Sequence, residues 1–144
     1  MGPESALAKD ARVNPHVWYG SEIEAQTDYR LWKLQKIAES AGGSFKRVVK
    51  AEVYLGHPND YAGMDKVWKK WFPDNPPARV VIPYMGLGTR GSKIEIALTL
   101  LADDSELEIE TIHTTEAPEP FSHEPQAVKV GNFLCLINCP VPMR

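Results

Sequence analysis

Hydrophobic positions along the chain recur with a helical period in two segments and alternate with polar positions in the others. After Ser21, which forms a capping box with Glu24, apolar residues at spacings of three and four predict a helix over residues 21–41. A second helix is predicted from Asn59 or Asp60 to residue 71. Alternation predicts strands over residues 47–55, 79–84, 93–101 and 106–113, and two more within residues 127–142. This order favours an α+β fold in which a single mixed sheet of about six strands carries both helices on one face.

Two glycine-containing turns connect predicted strands. Residues 86–91 are predicted to be a hairpin connection that brings residues 79–84 against residues 93–101. A phosphate-binding loop is disfavoured there because no helix follows to present its N-terminus to an anion. Gly131 and Asn132 form the turn of the last predicted hairpin.

An arginine stands at the start of one predicted strand, directly after two prolines and an alanine. Pro76 and Pro77 restrict the backbone just before the strand, so they fix the position at which Arg79 enters it. One interpretation is that Arg79 only ends a sheet edge and points into water. The other is an anion anchor, because a guanidinium binds a carboxylate through two parallel hydrogen bonds.

Length and charge limit the possible organisation and partners. A chain of 144 residues predicts a single domain over 1–144, with an irregular arm at 1–20 and parts at 21–101 and 102–144. The net charge of −3, without a basic stripe, disfavours a nucleic-acid partner. The sequence shows no signal peptide and no apolar run of membrane-spanning length, which predicts a cytoplasmic protein without a membrane partner.

Cysteine and histidine usage predicts neither a disulfide nor a metal site. Cys135 and Cys139 are about 13 Å apart if they share one extended strand, too far for a disulfide, so both are predicted to be reduced thiols. The four histidines have no ligand spacing, and no metal or other cofactor is expected.

Several segments together resemble the Rid family, the YjgF-type imine and enamine deaminases. The run NPPARVVIPYMGLG followed by KIEI is similar to a family pattern, as are the segments EAQTDYRLWKLQKIAESAGGSFKRVVKAEVYL and NDYAGMDKVWKKWFP. The tail, from ELEIETIH to INCPVP, resembles the opening of the family domain, so the order of segments is rotated here. A natural circular permutant and a piece spanning the junction of a tandem protein both fit this order. Permutation is physically acceptable where termini lie close together at the surface.

The resemblance implies roles for particular residues. Arg79 matches the arginine that holds a substrate carboxylate, and Glu95 matches the acidic residue that positions the hydrolytic water. We therefore expect Arg79 to lie in a cleft with its guanidinium free to meet a small carboxylate, and Glu95 to come near it from the adjacent strand of the predicted hairpin. The other substrate-binding positions that the resemblance implies are occupied by different residue types. Phe121 stands where the family usually has tyrosine, and Asp65 where asparagine is common. Ile137 and Asn138 replace a Ser-Gly pair, which removes a hydroxyl from the substrate site.

The resemblance further implies a homotrimer with sites in the clefts between subunits. The sheet face with Val48, Tyr54 and Thr99 has no helix left to cover it, which agrees with that assembly. The predicted function is water-mediated deamination of an imine, an enamine or a related small carboxylate-bearing metabolite. A non-catalytic small-molecule-binding or interaction module is the alternative, and the ribonuclease activity in an older family name is disfavoured by the acidic pI near 5.8.

Overall fold

The computed structural model of the chain describes residues 21–88 and 90–136. The helices and strands of this part follow one another as α1 (Glu22–Ser40), β1 (Val48–Leu55), α2 (Tyr61–Trp71), β2 (Ala78–Pro83), β3 (Ile94–Leu100), β4 (Ile109–Ile112), β5 (Ala127–Val130) and β6 (Phe133–Leu136). The α+β class is thereby confirmed. No helix in the described ranges has the length and apolar character needed to cross a membrane. The predicted arm at residues 1–20 lies outside the described residues.

Local signals in the sequence explain where α1 begins and ends. The Ser21 side chain accepts a hydrogen bond from the Glu24 backbone N–H, and the Glu24 carboxylate accepts one from the Ser21 N–H, so the predicted capping box forms. After the helix, Gly42 adopts a φ of +82°, a left-handed conformation that favours glycine.

The six strands form two three-stranded sheets instead of the single sheet expected. The first has the order β2-β1-β3, with β2 parallel and β3 antiparallel to β1, and the second is the antiparallel β4-β5-β6. The predicted hairpin between residues 79–84 and 93–101 is wrong, because β1 lies between β2 and β3. Helix α2 crosses over to bring β2 parallel to β1, and β3 then returns to the opposite edge of β1.

One face of the first sheet is covered by both helices. The core between them includes Ile23 and Leu31 of α1, Met64 and Trp68 of α2, and Val53 of β1. The helices approach closely at Gly63, where an added Cβ would lie 2.6 Å from the Ile23 Cγ2 atom. There is consequently little room for a side chain at this helix crossing.

A bulge in β1 moves Val48 away from the sheet face predicted for it. The register between β1 and β3 shifts between Val48 and Lys50. Val48 is buried in the core between the first sheet and the two helices, called the helix-side core below. Val49 belongs to a smaller core with Val128 and Val130 of β5. The expectation that Val48 lies on the uncovered face is therefore wrong, although Thr99 is exposed as predicted.

The connection from β3 to β4 is held by Arg47, at the end of a short helical turn before β1. The Arg47 Nη1 group donates to the carbonyls of Ala102, Asp103 and Ser105 at 2.8, 3.2 and 3.2 Å. The Nη2 group donates to the Leu107 carbonyl at 2.8 Å. These contacts join the parts of the chain before and after residue 102.

Candidate functional site

Arg79 is placed by the start of β2 in the layer between the first sheet and α2. It is paired in register with Ala51, whose side chain belongs to the helix-side core, so Arg79 points toward the helices. Its side chain has 0% exposure. The guanidinium carbon lies 5.3 Å from the centre of the Trp68 ring and 5.7 Å from that of Tyr61, so the two aromatic rings contribute to holding the cation in place.

The guanidinium is bound by two carboxylates of the same chain. Nη1 lies 2.9 Å from Asp65 Oδ1, and Nη2 lies 2.6 Å from Glu124 Oε2. Nη2 also donates to the Tyr61 hydroxyl at 3.0 Å, and Nη1 contacts the Met64 sulfur at 3.7 Å. The prediction of a guanidinium free to meet a ligand is thus wrong for this structure, and so is the alternative in which Arg79 points into water.

A short segment between β4 and β5 completes the site. The Ser122 hydroxyl donates to Asp65 Oδ2 at 2.6 Å, and the Ser122 backbone N–H donates to Glu124 Oε1 at 3.2 Å. Lys69, one helical turn after Asp65, places its amino group 3.2 Å from Asp65 Oδ2. The site therefore balances the carboxylates Asp65 and Glu124 against the cations Arg79 and Lys69.

The environment shifts two pKa values in opposite directions. Burial alone would raise the pKa of Asp65, but hydrogen bonds from Ser122, Arg79 and Lys69, together with the charge of Arg79, outweigh it and lower the pKa below the usual 3.8. Burial raises the pKa of Tyr61; Arg79 opposes this shift, while Glu124 and Asp65 add to it. At neutral pH the tyrosine is a neutral hydroxyl whose oxygen accepts from Arg79.

Glu95 lies on the other face of the sheet. It is paired in register with Tyr54, one residue out of phase with the helix-facing positions Val53 and Leu55. Its Oε1 atom accepts the Gly88 N–H at 3.1 Å. The prediction that Glu95 comes near Arg79 within one chain is wrong, because β1 separates the strands and the two side chains face opposite ways.

Arg30 of α1 is a cation on which the charge of Glu95 acts. Burial lowers the pKa of Arg30, and the negative charge of Glu95 opposes that shift. The Arg30 Nη2 group donates to the Ser92 hydroxyl at 2.7 Å. Glu95 therefore has electrostatic surroundings that differ from those of the Arg79 site.

The remaining predicted site residues lie at the edge of the Arg79 site or beyond the described chain. Phe121 has 63% exposure, and its ring meets that of Tyr61 edge-on with centroids 5.5 Å apart. Asp65, predicted to bind substrate, binds Arg79. Ile137 and Asn138 lie outside the described residues, as does Cys139, while Cys135 is a free thiol.

Sequence reasoning missed Glu124 as a partner of Arg79 and Ser122 as a donor to Asp65 and Glu124. Glu124 is 45 residues away from Arg79 along the chain, so no local periodicity connects them. A signal was present in the resemblance to the Rid family, which implies that residues 124–126 lengthen the loop before the last hairpin. A carboxylate inserted beside the expected site of an arginine anchor is a candidate for an ion pair.

A groove with a volume of about 590 Å³ lies elsewhere on the molecule, between the start of β1 and the second sheet. Its lining includes Lys46, Glu108, Glu110 and Lys129, and none of the predicted site residues. Within residues 21–88 and 90–136, no group of three or more histidine, cysteine, aspartate or glutamate side chains could hold a metal ion.

Curated relatives match part of the chain. This chain is 38% identical to the mitochondrial protein mmf1 of Schizosaccharomyces pombe over 73 residues. The matched region is 49% of this chain and 45% of mmf1. The chain is 33% identical over 84 residues to the 3-aminoacrylate deaminase RutC of Acinetobacter baylyi, covering 58% and 66% respectively. The chain spans about half the length of mmf1 and of two archaeal relatives.

Solved structures and a family model indicate the same protein family as these relatives. A YjgF-family protein from Neisseria meningitidis superposes with a TM-score of 0.56 at 27% identity, over 60% of this chain and 73% of that one. The family model described as endoribonuclease L-PSP matches residues 9–115. The match ends before β5, so the rotated order of segments stays a prediction. Because the family model covers well over half of the 144 residues, the chain belongs to the endoribonuclease L-PSP family, the Rid or YjgF family that its sequence resembles.

Proposed function

We propose that the chain is a Rid-type hydrolase that deaminates imine or enamine intermediates bearing a carboxylate. The observation that carries this proposal is that Arg79, which the sequence resemblance matches to the family arginine, binds a carboxylate, that of Glu124, at 2.6 Å. A buried guanidinium with fixed neighbours is suited to that task, because its planar fork matches the geometry of a carboxylate. The 3-aminoacrylate deaminase relative supports the reaction type.

In this proposal Arg79 holds the substrate carboxylate and Glu95 positions water for attack on the carbon attached to nitrogen. A carboxylate within hydrogen-bond reach of that water accepts its proton and passes it to the imine nitrogen as the C–O bond forms. A second proton transfer, from the new hydroxyl group to nitrogen, accompanies breaking of the C–N bond and leaves a carbonyl product and ammonia. Since Arg79 and Glu95 face opposite sides of the sheet in one chain, the proposal places the complete site in a cleft between subunits of a homotrimer. Light scattering should then give the mass of three 16.1 kDa chains, and a monomer at micromolar concentration would rule out such a cleft.

A spectrophotometric assay with freshly generated 2-imino acids tests the proposed activity. Arg79→Lys keeps the charge but not the fork, so we expect it to recover only part of the binding that Arg79→Ala loses. That loss is about 1.5–3 kcal/mol, the range for a hydrogen bond to a charged group. Glu95→Gln should leave binding of a 2-oxo acid nearly unchanged and abolish hydrolysis. RNA should be tested in parallel as an alternative substrate. Cleavage of RNA without imine hydrolysis would contradict the proposal.

A non-catalytic module that binds small carboxylates is the second candidate. The separation of Glu95 from Arg79 within one chain favours it, because anion binding needs only the arginine. Binding of a 2-oxo acid with no hydrolysis of any 2-imino acid would support this candidate over the enzyme.

A further inference from the structure

The segment around Ser122 covers the Arg79 guanidinium and supplies it with a carboxylate. Both oxygens of Glu124 are held, Oε2 by Arg79 Nη2 at 2.6 Å and Oε1 by the Ser122 N–H at 3.2 Å. The Glu124 side chain has only 4% exposure. The His123 ring nitrogen contacts the Phe72 carbonyl after α2, so this segment is attached to the helix at a second point. The protein therefore has a preformed, buried binding site for a carboxylate, which the Glu124 side chain occupies.

We propose that Glu124 is an internal competitor that closes the carboxylate site of Arg79 in the free protein, so that small carboxylate ligands bind by displacing it. This inference rests on the proposed function, in which Arg79 is the anchor of a carboxylate-bearing substrate. It makes Glu124 a determinant of which ligands bind, because a ligand must interact with the site more favourably than the attached side chain does.

The charge of the site requires displacement instead of simple addition. Arg79 is already paired with Asp65 and Glu124, and the half-exposed Lys69 pairs with Asp65. A ligand carboxylate entering beside them would place three buried carboxylates around one guanidinium, and like charges in a buried site are strongly disfavoured. Exchange of Glu124 for a ligand carboxylate leaves the charge of the site unchanged.

The segment that carries Glu124 is bracketed by fixed points. Gln126 accepts the Thr114 N–H at 2.6 Å and donates to the carbonyls of Thr114, Ala117 and Pro118 at 3.0 to 3.3 Å. These bonds tie residues 114–118 to the start of β5. These bonds are separate from the contacts that Ser122, His123 and Glu124 make with α2 and Arg79, so the Glu124 side chain can leave Arg79 without disturbing the second sheet.

Thermal unfolding and calorimetry of the Glu124→Ala protein test the inference, with sodium acetate and sodium formate as probes. Sodium chloride at the same ionic strength controls for salt. We expect a lower Tm for Glu124→Ala, acetate-dependent recovery of more than half of that loss, and acetate binding at least ten-fold tighter than in the wild type. Glu119→Ala is the matched control, since Glu119 lies on the same segment but forms an exposed pair with His113. Its Tm and acetate binding should match those of the wild type.

A second variant covers the case in which Glu124→Ala does not fold. Glu124→Gln keeps the side-chain volume but removes the charge, and it should bind acetate with an affinity between those of the wild type and Glu124→Ala. The inference is overturned if neither variant binds acetate more tightly than the wild type, or if Glu119→Ala shows the same gain.

These outcomes are separable from failure of the proposed activity. Tighter acetate binding by Glu124→Ala without hydrolysis of any 2-imino acid supports the inference and contradicts the enzyme. Hydrolysis by the wild type, with acetate affinity unchanged in both Glu124 variants, supports the enzyme and overturns the inference.

Discussion

Replacing Arg79 by methionine tests the energetic consequence of enclosing one cation between two carboxylates. Methionine retains most of the volume of the arginine stem, so the main change is loss of charge and hydrogen bonds. The exposed fractions of the side chains of Arg79, Asp65 and Glu124 are 0%, 9% and 4%, so both carboxylates would stay buried without their main counter-ion. Removing one partner of a buried ion pair costs about 3–5 kcal/mol of unfolding free energy. We expect that loss for Arg79→Met.

The loss should not reach the sum of the separate contacts. Hydrogen bonds to charged groups contribute about 1.5–3 kcal/mol each, but contacts that share one guanidinium are not additive. If uncompensated charge is the main cost, adding Asp65→Asn and Glu124→Gln to Arg79→Met should recover at least half of the lost stability. Neutral amides tolerate burial better than unpaired carboxylates do.

Urea denaturation followed by tryptophan fluorescence measures this effect, and an unchanged slope with urea would show that the loss reflects stability alone. Lys36→Met is the control, because Lys36 forms an exposed pair with Glu39 at 3.4 Å, with side-chain exposures of 55% and 50%. Exposed pairs of this kind contribute about 0.5 kcal/mol or less. A loss for Arg79→Met as small as that for Lys36→Met would refute the reasoning.

Three further predictions follow from other features. Because the pKa of Asp65 is lowered in the folded state, its contribution to stability is present above the unfolded-state pKa near 3.8 and is lost as pH falls through the folded-state value; Asp65→Asn should flatten the stability profile below about pH 4, as measured by urea denaturation at several pH values. Gly63→Ala should destabilise the protein by about 1 kcal/mol or more despite the better helix propensity of alanine, because its Cβ meets Ile23, and a raised Tm would contradict this. Cys135 should react with a thiol reagent after denaturation without reductant, and the absence of a free thiol would refute the reduced state.

Patterns local to the sequence predicted the elements well. The capping box at Ser21 and the turn at Gly131 and Asn132 form where they were expected. These features depend on hydrogen bonds between near neighbours, which residue type and spacing largely determine. The same patterns predicted the α+β class.

Pairing between distant strands was less predictable. A strand such as β3 has the same alternation whether it pairs with β2 in a hairpin or with β1. The local pattern therefore could not distinguish these two pairings. The predicted proximity of Glu95 to Arg79 depended on that hairpin and was therefore also wrong. The partners of Arg79 were also missed, because Asp65 and Glu124 reach it from α2 and from a loop.

The hydrogen bonds from Arg47 to four carbonyls have a consequence for how the chain tolerates cutting. They fix the backbone of residues 102–107 against the start of β1, so this stretch is not a flexible tether between independent units. A protease should cleave there slowly in the native protein, and Arg47→Ala should accelerate cleavage within this stretch. Separately expressed fragments divided at residue 102 should therefore associate in solution, since Arg47 on one fragment binds carbonyls that the other contributes.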